Sequence, residues 1–324
     1  MKNIYFFGGG KLLASIVDSL NTKKNKKILR QHVFTSVRHS KEKISKNLNF
    51  KQFLLKKNIK FNVLTKIDLK LKDKIKKGSI GISFGATWIF KKDFIKIFNN
   101  NFYNIHGSDL PEDRGGGGFS WQILSKKKNL TSSIHYLKPG IDKGEIIFKN
   151  KIFISGNLIP SDRQKIYDHK TKIFFMSKIS KLINKKFKIK KQSEKNSSYW
   201  PRLNSKIHGW IDWSWSPTDI FYFSNAFDDP YEGAKTKLNK NTIYLKKCFI
   251  TKSKVNFHPF QTGIIIKKNK DYISVSCKNF ILNFREIFNQ NRKKINLKKI
   301  SLGDRLNTPS SILEKAFSTR VRYK

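Results

Sequence analysis

The chain has 324 residues, of which 38% are hydrophobic and 13% are aromatic, and its formal net charge is +46. This many large apolar side chains can offset the entropy of ordering the backbone, which excludes a disordered chain, and the length favours two domains. The charge permits nucleic-acid binding, because Lys and Arg neutralise phosphates, but most of the cations are Lys scattered among Asn and Ile, as a biased genome composition would also produce.

Cysteine usage and the N-terminus predict a cytoplasmic protein. Cys248 and Cys277 lie far apart, without a CxxC pair or a His at ligand spacing, so neither a disulfide framework nor a metal site is expected. Residues 1–3 lead directly into a strand-like segment without the apolar stretch of a secretory signal. No apolar run is long enough to cross a bilayer, so no membrane span is predicted.

The first half of the chain alternates strand-like and helical patterns. It begins with an apolar run at 4–7, three glycines at 8–10 and apolar residues at helical spacing over 12–20. The glycines do not complete a GxGxxG motif with a downstream acid, so a dinucleotide site is not expected. Further strands are predicted at 32–35, 61–64, 81–85, 102–106 and 133–137, and helices at 49–57 and around 121–124. This alternation predicts a Rossmann-like, doubly wound, mostly parallel sheet that binds its ligands at the carboxyl ends of the strands.

The second half has a different pattern. An amphipathic helix is predicted at 165–186, and a polar, lysine-rich stretch follows at 185–198. Beyond it come short β-type runs separated by turns, at 242–245, 262–266, 272–276 and 280–284. Short strands at such intervals predict a smaller antiparallel barrel of the OB-like kind.

Asn104, His106 and Asp142 form a candidate catalytic group. When an amine attacks a formyl carbon, the enzyme must donate hydrogen bonds to the developing oxyanion and take a proton from nitrogen. Asn104 and His106 are two residues apart and therefore point to the same side of a strand, where both can donate. Asp142 lies in a glycine-flanked turn, where it can pair with His106 and accept the amine proton through water. Ordinary turn chemistry also explains each of the three residues.

Two sequence blocks resemble the signature of the 10-formyltetrahydrofolate-dependent formyltransferases. The first is NIHGSDLP at 104–111, followed by Arg114 and Gly115, and the second is PGIDKGEII at 139–147. This family includes enzymes that act on methionyl-tRNA, on glycinamide ribonucleotide and on sugar amines. The resemblance implies 10-formyltetrahydrofolate as co-substrate and Asn104, His106 and Asp142 as the catalytic residues. It also implies a pterin pocket, for which the predicted residues are Ser83, Phe84, Gly85, Thr87, Trp88, Ile89, Ser108, Leu110, Pro111 and Gly140.

The resemblance extends to the C-terminal part. Residues 212–213 and 226–234 are similar to the barrel domain shared by methionyl-tRNA and UDP-4-amino-arabinose formyltransferases. We therefore expect a catalytic domain at 1–184, a linker at 185–204 and a barrel domain at 205–324.

The identity of the acceptor amine depends on departures from the family pattern. Methionyl-tRNA formyltransferases carry a longer basic loop after the second strand, whereas residues 36–41 lead quickly to the next helix here. Asp109 stands where the family usually has Leu, and three glycines at 116–118 replace Ala-Ala-Pro. We therefore rank a nucleotide-linked amino sugar ahead of initiator methionyl-tRNA, although the positive charge favours the tRNA.

Two alternatives from other classes stay open. A hydrolase that releases formate from the same folate can use the same three residues with water as nucleophile, although we associate such enzymes with an N-terminal regulatory domain that we do not expect here. A non-catalytic nucleic-acid-binding protein would explain the charge, but it would place no demand on Asn104, His106 and Asp142 together.

Overall fold

The computed structural model of the chain describes residues 1–116 and 118–321, so Gly117, one of the glycines noted above, lies outside the described residues. The strands of the first half are β1 (Lys2–Gly8), β2 (Leu29–Ser36), β3 (Lys43–Ser45), β4 (Leu48–Asn49), β5 (Lys60–Leu64), β6 (Ile80–Phe84), β7 (Phe102–His106), β8 (Arg114–Gly115), β9 (Asn129–Tyr136), β10 (Ile146–Phe153) and β11 (Tyr199–Trp200). The helices are α1 (Gly10–Leu20), α2 (Lys23–Lys26), α3 (Val37–Ser40), α4 (Phe50–Lys56), α5 (Lys92–Lys96), α6 (Phe119–Leu124) and α7 (Pro160–Ile183).

Seven of these strands form one sheet in the order β10-β9-β7-β6-β1-β2-β5. The strands from β7 to β5 are parallel, and β9 and β10 add an antiparallel edge. Side chains alternate across the central strand β1: Ile4 and Phe6 pack with α1, α4 and α7, whereas Tyr5 and Phe7 join an aromatic cluster on the other face. The predicted mostly parallel, doubly wound sheet is therefore confirmed.

Several predicted boundaries shift, each for a local reason. The long helix begins at Pro160 instead of residue 165, because a proline at the first helical position needs no hydrogen-bond partner for its nitrogen. The strand predicted at 133–137 starts at Asn129, where it pairs with β10. A small hairpin, β3 with β4, stands before α4 and was not predicted. The polar stretch after α7 touches the sheet, because Lys190 pairs with Ile146.

The second half forms a curled antiparallel sheet in the order β14-β15-β16-β13-β12-β17. Its strands and helices are α8 (Ser205–His208), α9 (Pro217–Ala226), β12 (Ala234–Leu238), β13 (Asn241–Lys252), β14 (Ile265–Lys268), β15 (Ile273–Cys277), β16 (Phe280–Asn289), β17 (Leu306–Asn307) and α10 (Ser310–Ser318). The two edges meet, because Ile264 pairs with Arg305 and the Leu306 N–H donates to Gly263 O at 2.8 Å. The predicted smaller antiparallel barrel is therefore confirmed.

The helix α6 joins the two halves. Ile123 belongs to the hydrophobic core of the second half, and Ser120 Oγ donates to Ala226 O at 2.8 Å. Trp121 Nε1 donates to Pro201 O at 2.8 Å, which fixes the chain segment that enters the second half. The loop between β7 and α6 therefore lies at the junction. No helix within residues 1–116 and 118–321 combines the length and apolar character needed to span a bilayer.

Candidate active site

The candidate site lies at the carboxyl end of β7, next to the point where the sheet changes from parallel to antiparallel. His106 is the last residue of this strand, and Asn104 points to the same side two residues earlier. Asn104 stands opposite Ser83 of the parallel neighbour β6 and opposite His135 of the antiparallel neighbour β9. The register of these three strands therefore brings their polar side chains together at the carboxyl end of β7.

The carboxylate of Asp142 meets both β7 residues. Its Oδ1 accepts from Asn104 Nδ2 at 3.3 Å, and its Oδ2 lies 3.6 Å from His106 Nδ1. The Gly115 N–H donates to the same Oδ2 at 2.9 Å. The side chains of His106 and Asp142 are only 11% and 13% exposed. The structure therefore brings the three predicted catalytic residues together, in a largely dry environment.

Hydrogen bonds fix the orientation of the His106 ring. Nε2 lies 2.7 Å from Asp113 O and 2.6 Å from Ser108 Oγ, and this hydroxyl itself donates to Asp113 O at 2.8 Å. A carbonyl oxygen can only accept, so Nε2 carries a hydrogen. Nδ1 is therefore the ring nitrogen that faces Asp142.

The surroundings of Asp142 favour its ionised form. Burial alone would raise the pKa of this carboxyl, but the charge of His106, the contacts with His135 and the Gly115 N–H together hold the pKa well below its ordinary value. Asp142 is therefore a persistent negative charge beside the His106 ring.

His135 is a further member of the group that the sequence analysis missed. Its Nδ1 donates to Tyr136 O at 2.8 Å, which leaves Nε2 to accept from Asn104 Nδ2 at 3.1 Å. The two N–H bonds of Asn104 therefore go to His135 and Asp142. The carboxamide oxygen is the atom of Asn104 left to meet a substrate, whereas the sequence analysis expected Asn104 to donate to an oxyanion.

A cavity of about 240 Å³ lies beside Asp142 and is called the first cavity below. Its walls are apolar loops and strand ends, and its floor is the group just described. The lining residues are Ser83, Gly85, Ala86, Trp88, Ile89, Phe90, Asn104, Ile105, His106, Gly107, Gly115, His135, Leu137, Lys138, Gly140, Ile141 and Asp142.

The predicted folate-binding residues divide into two sets. Those that line the first cavity are Ser83, Gly85, Trp88, Ile89 and Gly140. The structure places the others elsewhere: Phe84 packs in the core against Phe6 and Phe175, Ser108 holds His106, and Leu110 is fully buried. Pro111 O accepts from the Ser198 N–H at 3.3 Å, and Thr87 lies in the loop beside Trp88 without facing the cavity. The lining of the first cavity does not include these five residues, and their part in folate binding stays a prediction.

A second cavity, of about 770 Å³, lies on the other side of His106. It shares five lining residues with the first cavity, namely Gly85, Ile105, His106, Gly107 and Gly115. The remaining lining residues are Gly9, Gly10, Lys11, Leu12, Glu42, Lys43, Phe84, Ser108, Gly116, Gly118, Phe119, Gln164, Tyr167, Asp168, Arg202 and Pro230. The two cavities therefore meet at His106.

The second cavity carries charges of both signs. Lys11, Lys43 and Arg202 are its cations, and Glu42 and Asp168 its acids. Burial raises the pKa of Asp168 to about 6, against the opposing effects of the Gln164 hydrogen bond and the Lys11 charge. Within the described residues, no cluster of His, Cys, Asp or Glu has the geometry to hold a metal ion.

Sequence models of known families match both halves of the chain. The model described as formyl transferase matches residues 1–176, and the one described as formyl transferase, C-terminal domain, matches residues 204–305.

Individual relatives agree with this match. The methionyl-tRNA formyltransferase of Clostridium perfringens is 27% identical over 216 residues, which are 67% of this chain and 68% of that protein. The bifunctional polymyxin resistance protein ArnA of Wigglesworthia glossinidia brevipalpis is 28% identical over 239 residues, which are 69% of this chain but 36% of that protein.

Solved structures share the fold. A sugar 3N-formyltransferase crystallised with dTDP and 5-N-formyl-THF superposes with a TM-score of 0.67 and 22% identity, covering 91% of this chain and 98% of the other. An N-formyltransferase of Helicobacter canadensis, in complex with folinic acid and dTDP-3-aminofucose, gives 0.67 and 19%, covering 88% and 99%. Because the family match spans more than half of the chain, this protein belongs to the formyl transferase family, which confirms the predicted folate-dependent formyltransferase class.

Proposed function

We propose that the protein transfers the formyl group of 10-formyltetrahydrofolate to the primary amine of a nucleotide-linked amino sugar, with Asn104, His106 and Asp142 as the catalytic residues. The observation that carries the proposal is the pair of cavities that meet at His106, with Asn104 and Asp142 beside it. A formyl donor in one cavity and an amine in the other would approach each other across this group.

The first cavity suits the folate head group. Trp88, Ile89 and Ile141 supply apolar walls, and the backbone of the turn around Gly140 supplies hydrogen-bonding groups. A planar, polar-edged ring needs apolar faces and backbone donors and acceptors at its rim, and this lining provides both. The reactive formyl group would then lie near His106.

The chemistry follows from the hydrogen bonds within the group. The neutral amine attacks the formyl carbon, and its new bond turns the formyl oxygen into an oxyanion. The His106 ring, held beside ionised Asp142, donates an N–H to this oxygen. The Asn104 carboxamide oxygen accepts from the amine N–H and orients its lone pair. The intermediate collapses with cleavage of the bond from the formyl carbon to N10 of the folate. The His106 ring gives a proton to N10 and takes the proton that the amine loses, while Asp142 stays ionised.

The properties of the second cavity favour a small acceptor that carries both a diphosphate and an amino sugar. A volume of about 770 Å³ falls within the range of small-molecule sites. Lys11, Lys43 and Arg202 supply positive charge for a diphosphate, while Asp168 and Glu42 supply acceptors for sugar hydroxyls and amine hydrogens. After β2 the chain forms only α3 and the β3–β4 hairpin, so a long basic loop does not extend from this rim.

The deciding experiment is a competition between acceptors. The purified protein is incubated with 10-formyltetrahydrofolate and either a panel of nucleotide-linked amino sugars or charged initiator methionyl-tRNA, and formylated products are measured by mass spectrometry. We expect efficient transfer to at least one sugar nucleotide. Efficient transfer to the tRNA alone would overturn the acceptor assignment, and release of formate without any formylated amine would favour the hydrolase.

Methionyl-tRNA is the second candidate acceptor. Its support is the match to methionyl-tRNA formyltransferases over two thirds of the chain and the net charge of +46. Binding to tRNA through many Lys contacts would weaken steeply with salt, because phosphate neutralisation releases counterions. A steep salt dependence of KM for the acceptor would therefore favour the tRNA, and a shallow one the sugar nucleotide.

A further inference from the structure

The segment after α7, expected from the sequence to be a linker, reaches the turn that carries Asp142. Gln192 lies in this segment and is half-buried. Its Nε2 donates to two carbonyl oxygens of the turn, Asp142 O at 2.7 Å and Gly144 O at 2.6 Å. One side chain therefore uses both of its N–H bonds on this turn.

The oxygen of the same carboxamide contacts β8, the strand whose Gly115 N–H donates to the Asp142 carboxylate. Gln192 Oε1 accepts from Arg114 Nε at 3.1 Å and from Arg114 Nη2 at 3.0 Å. Arg114 is buried and is paired with Glu194, at 2.9 Å from Nη1 and 3.0 Å from Nη2. The next residue, Gly115, donates its N–H to the Asp142 carboxylate. Gln192 therefore ties Asp142 to its own hydrogen-bond donor.

The backbone of the turn needs such support. Asp142 has a φ of +52°, a left-handed conformation that glycine adopts freely and that costs free energy for other residues, though less for Asp and Asn than for most. Gly144, two residues later, leaves no room for a side chain, because an added Cβ would lie 1.7 Å from Tyr136 O. The two hydrogen bonds from Gln192 support this backbone conformation from outside the turn.

We propose that Gln192 is a positioning residue, which holds the Asp142 turn so that the carboxylate stays on the Gly115 N–H and faces His106. The inference rests on the proposed catalytic role of Asp142. Residues 185–204 would then support the catalytic site in addition to connecting the catalytic domain to the barrel.

Three variants separate the possible roles of Gln192. Gln192→Met keeps the length of the side chain and removes both of its hydrogen-bonding ends. Gln192→Glu keeps an oxygen for Arg114 but removes the donors to Asp142 O and Gly144 O. Asn196→Ala is the matched control, because it deletes an exposed carboxamide from the same segment.

We expect both Gln192 variants to lose about 10–100-fold in kcat, since small displacements of a catalytic group are costly, with KM for folate and acceptor unchanged. The midpoint of thermal unfolding should stay close to that of Asn196→Ala, which itself should behave as wild type. Wild-type kcat in Gln192→Glu would show that Gln192 serves only to hold Arg114, and wild-type kcat in both variants would overturn the proposal.

Amide hydrogen exchange gives a readout that does not depend on the reaction. Exchange at residues 140–145 should be faster in Gln192→Met than in wild type or Asn196→Ala, because the turn has lost two hydrogen bonds. Unchanged exchange would overturn the positioning role even if the wild-type enzyme proved inactive in every formylation assay. Active wild type with unaffected Gln192 variants would leave the proposed function intact and refute this inference alone.

Discussion

The two cavities beside His106 are built in different ways. The first cavity is made by the ends of neighbouring strands β6, β7 and β9 and the loops that follow them. The second draws on segments that are far apart in the chain, from Gly9 to Pro230. Strand register therefore fixes the positions of the residues around the first cavity. The lining of the second cavity can change through substitutions in any one of several separate segments.

The carboxylates on the two sides differ in the same way. Asp142 is surrounded by donors and by two imidazoles, so its pKa is lowered despite its burial. For Asp168 burial outweighs its partners, and the pKa is raised to about 6. A buried carboxylate is therefore a fixed charge in one place and a titrating group in the other, according to the donors around it.

The largest effect is expected at the point where the cavities meet. His106→Ala removes the group that donates to the oxyanion, so kcat should fall by about 10²–10⁴-fold. The measurement is the steady-state rate of formyl transfer, with His169→Ala, an exposed histidine of α7, as the control. A rate equal to wild type would remove His106 from the mechanism.

Asp142→Asn tests the fixed charge. The amide keeps the shape of the side chain but places no negative charge beside the His106 ring, so we expect a fall in kcat of about 10²-fold. Asp93→Asn, an exposed acid on α5, is the matched control. If Asp142→Asn retained its rate, the negative charge would have no part in the reaction.

The sequence was sufficient for the part of the site that depends on local geometry. Asn104 and His106 are two residues apart on one strand, and this spacing alone places both side chains on the same side of it. The alternation of strands and helices likewise predicted the parallel sheet, because each pattern is set by neighbouring residues.

The remaining site residues depend on contacts between distant segments. His135 reaches Asn104 only through the register of β9 on β7, which a single strand pattern does not contain. Gln192 lies in a polar stretch without periodicity, and its partners Asp142 and Arg114 are far away in sequence. Asp168 is one of many polar residues on α7, and only the packing of that helix decides which of them face a cavity.

Trp88→Ala should affect the first cavity alone. The indole lines this cavity and is anchored by a hydrogen bond from Nε1 to Thr65 O at 3.4 Å. Loss of its apolar surface should raise KM for the folate by about 10-fold, with KM for the acceptor unchanged. Phe153→Ala, which removes an aromatic ring that is 85% exposed, is the control. An equal rise in both KM values would mean that the two cavities are not separate binding sites.

Lys11→Ala should affect the second cavity alone, and less strongly. Lys11 is exposed at its rim, where an ion pair with a phosphate is screened by water, so KM for the acceptor should rise by about 2–5-fold. The rise should shrink as salt is added, whereas KM for the folate should not move. Lys56→Ala on α4 is the control, and a change confined to the folate KM would reverse the assignment of the cavities.

The smallest effect concerns the stability cost of Asp168. Its folded pKa of about 6 lies above the ordinary Asp value of 3.8, so the folded state loses stability as pH rises through this window, and the cost persists at higher pH. Asp168→Asn keeps an oxygen for Gln164 Nε2, which donates to Asp168 Oδ1 at 2.6 Å, and removes the charge. The variant should therefore melt at a higher temperature than wild type above pH 6, by about 2–4 °C for each kcal/mol relieved, with the difference fading as pH falls toward 3.8. Asp73→Asn, at an exposed position, should show no such dependence. A stabilisation independent of pH would mean that the gain came from packing and that Asp168 does not titrate in this range.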